Sequence, residues 1–233
     1  MSARVVELPE LRGRRFVFRD RIDAGRVLAG LLEGFRGTDA LVLGIPSGGV
    51  PVGLAVAEAL SLPFEVIIAR KIPIPGEPEA GLGAVSEEGD IVLNDALLPY
   101  LGLSREQALE LAAPVREELR RRVRLFRGGR PLPQLASRAA IIVDDGLASG
   151  YTALACLAQA RRHQPRRLCL AVPTASESAL ARLSEAAEDI FCANVRGGRV
   201  FAVAEAYRNW RDLDAAEVQE MLARRPPARD AAP

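Results

Sequence analysis

Two acidic residues, Asp144 and Asp145, stand directly after the apolar run Ile141-Ile142-Val143 and directly before Gly146-Leu147-Ala148-Ser149-Gly150-Tyr151-Thr152. An apolar strand ending in two carboxylates puts both acids at the carboxyl edge of a sheet, where open α/β folds bind their ligands. Gly146 and Gly150 let the backbone curl around an anion, and a helix beginning near Tyr151 offers unpaired N–H donors and the positive end of its dipole. Thr152 adds a hydroxyl. A bare phosphate has no use for two neighbouring carboxylates that repel it. A sugar phosphate does, because carboxylates accept hydrogen bonds from vicinal ribose hydroxyls while the N–H groups hold the phosphate. Taken alone, the same acidic turn would merely cap a helix. It is neither a Walker A loop, having no Lys before Thr152, nor a G-x-G-x-x-G fingerprint.

The elements that must carry this turn follow from the pattern of apolar residues. Short apolar runs at 40–45, 63–69, 138–143, 167–172 and 189–193 read as strands buried on both faces, as a parallel sheet requires. Helical spacing places Ile22, Val27, Leu28, Leu31, Leu32 and Phe35 on one stripe, capped by Asp20 or Asp23 and stopped at Gly37. Further helices are expected at 50–60, 104–126, 151–163, 176–186 and 214–224, with short strands at Ile91–Leu93 and 200–204. The density of Pro and Gly over 70–89 predicts a long loop. The fold class is therefore α/β: an open, mainly parallel sheet with helices on both faces, a long loop and a helical insertion. One domain over 1–212, with the insertion at about 72–137, is followed by a closing helix and a disordered tail over 213–233.

A second glycine turn, Pro46-Ser47-Gly48-Gly49, ends the first internal strand. The basic pair Arg70-Lys71 ends the next one. The glycines also suit an ordinary strand-to-helix turn, and the basic pair also suits solvated residues opening a loop. Between Arg116 and Arg130 stand seven arginines, but Glu117 and Glu118 lie within helical reach and few aromatics interleave, which favours a solvated helix face over nucleic-acid binding. His163 reads as a helix C-terminal residue. Tyr207 and Trp210, with Phe201 nearby, read as core or as a flat hood over a base.

The segment 141–152 closely resembles the phosphoribosyl pyrophosphate motif of type I phosphoribosyltransferases. That resemblance implies that Asp144 and Asp145 hold the ribose hydroxyls and that Gly146, Leu147, Ala148, Ser149, Gly150, Tyr151 and Thr152 hold the 5-phosphate. Ile45 to Val50 is similar to the family's pyrophosphate loop, which implies Ser47, Gly48 and Gly49 as pyrophosphate contacts. Many relatives carry Arg or Lys where this chain has Ser47, so Arg70 and Lys71 are the expected substitutes. Arg70 to Val85 also resembles a bacterial branch of the family with the pattern RKxxxPGxPExxLGAV. The stretch equivalent to the relatives' WYxDF reads Ala206-Tyr207-Arg208-Asn209-Trp210, so Tyr207 and Trp210 are the expected acceptor pocket. The family further implies Mg²⁺, reached by Asp144 and Asp145 through water rather than by direct ligation, and a homodimer.

Bulk properties narrow the alternatives. The chain of 233 residues carries 31 Lys plus Arg against 30 Asp plus Glu, so attraction to nucleic acid is not a global property and anion binding must be local. Three widely spaced cysteines in apolar runs read as reduced thiols of a cytoplasmic protein, and a single histidine argues against a zinc site. No apolar run approaches the roughly 18 residues of a membrane span. The N-terminal residues lack the pattern of a signal peptide.

The expected reaction is transfer of a 5-phosphoribosyl group from phosphoribosyl pyrophosphate to a nitrogen acceptor, a nucleobase being the first choice, with release of pyrophosphate. The loop 72–84 would shield the cationic centre from water, and no role is assigned to Glu77 or Glu79 within it. The principal rival is a non-catalytic regulator sensing phosphoribosyl pyrophosphate or a nucleotide on the same fold. A phosphohydrolase using Asp144 and Asp145 as metal ligands is the third class.

Overall fold

The computed structural model describes residues 2–74, 77–198 and 201–224, with the side chains of 77–80 outside that description. In chain order its elements are β1 (Arg4–Val6), α1 (Arg21–Leu31), β2 (Leu41–Gly44), α2 (Gly49–Leu60), β3 (Phe64–Val66), β4 (Ala69–Ile74), β5 (Glu77–Ser86) and β6 (Ile91–Leu93). These are followed by α3 (Leu98–Leu101), α4 (Arg105–Glu110), α5 (Ala113–Arg127), β7 (Ala139–Val143), α6 (Tyr151–Arg162), β8 (Arg167–Ser176), α7 (Glu177–Leu183), β9 (Asp189–Arg196) and α8 (Ala215–Ala223).

Six strands form one sheet in the order β1-β9-β8-β7-β2-β3, and every neighbouring pair is parallel. Parallel strands need crossovers, and these lay α1 and α2 on one face and α6 and α7 on the other. The apolar runs serve both layers. Ile141 and Val143 of β7 pack with Leu28 of α1 and Val56 of α2, whereas Ala140 and Ile142 pack with Cys156 of α6 and Leu180 of α7. This double burial is why β7 shows no alternation of polar and apolar residues. The α1 stripe and its cap agree with the sequence reading, Asp20 accepting from the Asp23 N–H at 2.8 Å. Val218 and Leu222 of α8 are buried in the same core as α1 and α2.

Three expectations are corrected. The stretch read as a loop over 70–89 is an antiparallel sheet, β4-β5-β6, with Ile72, Leu82, Ala84 and Val85 buried. Its prolines and glycines hid the alternation. Pro73, which has no N–H to give a ladder, sits where the register shifts, the place a strand tolerates it. The proposed shield over 72–84 is thus packed at its base, and Pro75 and Gly76 lie outside the described residues. The helix expected over 104–126 is interrupted at Leu111–Ala112, because Pro114 suits the first turn of α5 and breaks any helix running through it. The strand expected at 200–204 is instead a 3₁₀ turn at Val203–Ala206, and 199–200 lie outside the described residues, as does 225–233 of the tail.

A buried ion pair ties the end of α5 to the end of β5, and its two members reach the main sheet and α6 by further hydrogen bonds. Arg127, at the end of α5, and Glu87, just past β5, each expose 3% of their side chains. Arg127 donates to Glu87 Oε1 at 2.8 Å, to the Val66 carbonyl of β3 at 3.1 Å and to the Arg130 carbonyl at 2.9 Å. Glu87 also accepts from Gln159 of α6 at 3.3 Å. Removing one partner leaves the other charge buried and unmatched. Arg127→Ala should therefore lower unfolding free energy by about 3–5 kcal/mol, measured by urea denaturation. Arg162→Ala, which removes an exposed pair with Glu88 and Asp90, should cost about 1 kcal/mol or less.

Candidate functional site

The parallel pairing of β2 with β7 runs Leu41 opposite Ala140 to Gly44 opposite Val143. The Ile45 N–H extends it by donating to the Val143 carbonyl at 2.8 Å. Both strands therefore end at one place, and the two glycine turns recognised in the sequence emerge side by side. Their approach is close. A Cβ on Gly48 would lie 1.8 Å from Asp145 Oδ2, and one on Gly49 would lie 2.5 Å from the Val143 carbonyl oxygen and 3.0 Å from Asp144 Cα. At Gly49 the obstacle is backbone, so only glycine fits, whereas a Cβ at Gly48 would have to displace the Asp145 carboxylate. The Pro46–Ser47 peptide is cis.

Asp144 and Asp145 are half-buried at this junction. Asp144 Oδ1 accepts from the Asp145 N–H at 2.9 Å. Burial pushes the Asp144 carboxyl well above the ordinary aspartate range, and the neighbouring charge of Asp145 pushes it further. Burial also raises Asp145, against the opposing pull of Arg21. Arg21 Nε donates to Asp145 Oδ2 at 2.8 Å, and its Nη1 donates to the Arg211 carbonyl at 2.8 Å.

The cradle after the acids is shaped by where its carbonyls go. The Leu147 carbonyl accepts from the Ser176 N–H at 3.0 Å, the Ala148 carbonyl from Ser176 Oγ at 2.9 Å, and the Ser149 carbonyl from Arg182 at 2.5 Å. In a trans peptide the N–H points opposite to the C=O. Three carbonyls drawn toward β8 and α7 thus turn the N–H groups of Ala148, Ser149 and Gly150 the other way. Gly150, with φ at +80°, makes the left-handed turn into α6, whose first N–H groups extend the same row. Tyr151 is buried beneath the Arg182 guanidinium at 4.7 Å, and Thr152 is half-buried in the first helical turn.

The remaining expected residues are not all gathered here. Arg70 pairs with Glu118 of α5 at 2.7 Å, so its charge is directed at the insertion. Lys71 is exposed on β4, its stem against Gly81. Tyr207 is 1% exposed and donates its hydroxyl to the Asp145 carbonyl at 2.5 Å, so it supports the acidic turn from behind. Trp210 is half-buried, with the Arg21 guanidinium over its ring at 3.9 Å. Sequence reasoning missed Arg21, Ser176 and Arg182. Arg21 did leave a signal, since a cation at the first position of a helix opposes the helix dipole and needs a partner elsewhere.

Two substitutions separate the roles of these residues. A carboxyl raised in the folded state destabilises the fold at pH values above its folded pKa. That penalty vanishes as pH falls through the ordinary aspartate value of 3.8. Asp144→Asn should therefore raise the melting temperature at pH 7 to 8, and the gain should disappear by about pH 3.5. Gly49→Ala pushes on backbone and should cost about 1–3 kcal/mol of stability. Gly48→Ala meets a movable carboxylate, so thermal melts should show the smaller loss while the carboxylate is displaced.

The phosphoribosyl transferase domain family matches residues 20–206. Two proteins of Mycobacterium tuberculosis, named "Putative phosphoribosyl transferase Rv0571c" (strain H37Rv) and "Putative phosphoribosyl transferase MT0597" (strain CDC 1551), are each 40% identical over 210 residues, 89% of this chain. The chain spans about half of those curated relatives, 47% of their length. The crystal structure of TT1426 from Thermus thermophilus superposes with a TM-score of 0.72 at 36% identity, covering 89% of this chain and 98% of that one. The matched region contains both glycine turns, the acidic pair and the parallel sheet that joins them, and the chain belongs to the phosphoribosyl transferase family.

Proposed function

We propose that the chain transfers a 5-phosphoribosyl group from phosphoribosyl pyrophosphate to a nitrogen acceptor, releasing pyrophosphate. The observation that carries this reading is the contact of Gly48 and Gly49 with Asp145 and Asp144. It sets a leaving-group loop against the acids that would hold the ribose. Asp144 and Asp145 accept from the ribose hydroxyls, and the N–H groups of Ala148 to Gly150, with Thr152, hold the 5-phosphate. The carbon between the acids that hold the ribose and the leaving-group loop is C1. As the C1–O bond to pyrophosphate breaks, positive charge grows on C1 and the ring oxygen, and the neighbouring carboxylates stabilise it without a covalent nucleophile.

Pyrophosphate would lie along Ser47, Gly48 and Gly49, with Lys71 kept as an expected contact, whereas Arg70 is paired with Glu118. The donor set fits Mg²⁺ in one particular way. No group of three or more acidic, His or Cys side chains gathers among the described residues. Two carboxylates, one of them bound to Arg21, suit an ion held mainly by substrate oxygens and water, with Asp144 and Asp145 in its outer shell. When bound, the ion would draw charge from the leaving pyrophosphate.

A second reading, a non-catalytic sensor of the same ligand, is favoured by the commitment of Arg70 to Glu118 beside an uncharged Ser47. Isothermal titration with phosphoribosyl pyrophosphate and Mg²⁺ should give saturable binding that the double substitution Asp144→Asn, Asp145→Asn weakens at least a hundredfold, the loss of two charged hydrogen-bond acceptors at about 1.5 kcal/mol each. Unchanged affinity in the double variant refutes the site. Pyrophosphate release on adding a base separates the transferase from the sensor, which would bind without turnover.

A further inference from the structure

An open pocket of about 500 Å³ lies between the start of α1, Pro51 of α2, the residues 208–213 and Met221 of α8. No residue of either glycine turn lines it, and Arg21 and Trp210 stand between it and the acidic turn. A molecule seated there does not meet the sugar carbon. The volume is nevertheless that of a small-molecule site. Its wall is also fixed in advance, because the Arg208 and Asn209 N–H groups donate to the carbonyls of Phe18 at 2.8 Å and Arg19 at 2.9 Å.

The lining joins apolar surface to donors that lack partners. Ile22, Pro51, Leu213 and Met221 make the apolar part, and Arg21, Arg208, Asn209 and Arg211 the polar part. Arg21 is 11% exposed and gives Nε to Asp145 and Nη1 to the Arg211 carbonyl, at 2.8 Å each, so its Nη2 donates to no protein atom among the described residues. Arg208 donates Nε to the Phe16 carbonyl at 3.0 Å and meets no carboxylate among the described residues. Arg211 is shared with Glu217 at 2.5 Å. The carboxylate in the lining, Asp20, is committed to capping α1 and to Arg19 at 3.1 Å. Three guanidiniums against one engaged carboxylate leave the pocket cationic. Guanidinium forks beside an amide suit a phosphate, whose oxygens can accept from all of them. The apolar part would lie idle against inorganic phosphate and suits a ring.

We propose that this pocket is a regulatory site for a phosphate monoester carrying an apolar ring, and that its occupant weakens the hold on phosphoribosyl pyrophosphate through Arg21. The binding half stands by itself, and the coupling half rests on the reading of Asp145 as a ribose contact. Arg208, Arg211 and Nη2 of Arg21 hold the phosphate, and the ring lies on Leu213 and Met221. The guanidinium of Arg21 is then divided between two anions, the occupant on Nη2 and Asp145 Oδ2 on Nε. A carboxylate that has lost part of its anchor and of its counter-charge holds the ribose hydroxyls less well. The coupling is reciprocal, so phosphoribosyl pyrophosphate lowers affinity for the occupant by the same factor.

The test is isothermal titration of the full chain with phenyl phosphate, benzyl alcohol and inorganic phosphate, which carry ring and anion together, the ring alone and the anion alone. Phenyl phosphate should bind about tenfold or more tightly than either of the others, the loss expected for one charge-assisted contact or one exposed ring. Arg208→Gln with Arg211→Gln should remove that advantage. Met221→Glu, which sets a negative charge on the apolar part and leaves the arginines in place, should do the same. With Mg²⁺ present, the dissociation constant for phosphoribosyl pyrophosphate should rise about fivefold or more as phenyl phosphate is added, and then level off. In both pocket variants the rise should vanish, while affinity for phosphoribosyl pyrophosphate alone stays within about twofold of the unaltered chain. In Arg21→Gln the rise should vanish even at saturating phenyl phosphate, because the shared group is gone. A rise without a plateau marks competition in the phosphate cradle and overturns the assignment. Equal binding of the three probes, or an advantage that survives in both pocket variants, overturns it too. Binding of phenyl phosphate with no rise, or a plateau unchanged in Arg21→Gln, overturns the coupling. Failure of phenyl phosphate to bind beside intact phosphoribosyl pyrophosphate binding overturns the pocket alone. Absence of phosphoribosyl pyrophosphate binding to the unaltered chain overturns the ribose reading and the coupling with it.

Discussion

The adjacency of β2 and β7 is the constraint on which the site depends. Neither glycine turn is a site by itself. The turn after β2 lacks a charged side chain, and the turn after β7 carries two carboxylates that repel any anion. Parallel pairing in register, extended by the Ile45–Val143 hydrogen bond, brings the two ends together. Gly48 and Gly49 then remove the Cβ atoms that would hold the turns apart. The site has the precision of a sheet register rather than that of a pair of loops, which is what positioning two ends of one substrate requires.

Around this junction, hydrogen bonds are used to aim groups as much as to stabilise them. Ser176 and Arg182 contribute no atom to the row of cradle amides, yet by taking the carbonyls of Leu147, Ala148 and Ser149 they fix which way those amides face. Tyr207 does the same for Asp145 through its backbone carbonyl, and Arg21 through its carboxylate. Each is a second partner that locks a first one, the arrangement that keeps an anion site ordered before its ligand arrives. The raised Asp144 carboxyl shows what this order costs the folded state, since burial and a like charge oppose its ionised form at neutral pH.

The sequence was legible where local chemistry and topology coincide. The run into Asp144-Asp145 could be placed because a doubly buried strand, two acids and a glycine turn form one contiguous signal. The capping of α1 by Asp20 was equally local. Legibility failed where the deciding partner lay far along the chain. Arg70 reads as a free cation at a strand end, but Glu118 claims it from a helix nearly fifty residues later. The sheet β4-β5-β6 was hidden by its own prolines and glycines, whose penalties are met by a bulge and by burial of Ile72 and Leu82 against the main core. Tyr207 and Trp210 share a short aromatic stretch, yet one is buried behind the acidic turn and the other lines a pocket wall.

Arg21 joins the two halves of the site. At the first position of α1 its charge opposes the helix dipole, so it is tolerated only because Asp145, Trp210 and the Arg211 carbonyl hold it. Those three contacts come from β7's turn and from the segment before α8, elements that share no other ion pair at the site among the described residues. A single guanidinium therefore connects the groups that would hold the ribose with the open pocket between α1 and α8. It also partly neutralises a carboxylate that would otherwise face its neighbour unscreened. A shift of that one side chain would therefore change the charge that meets the sugar, since Arg21 is what opposes the rise of the Asp145 carboxyl.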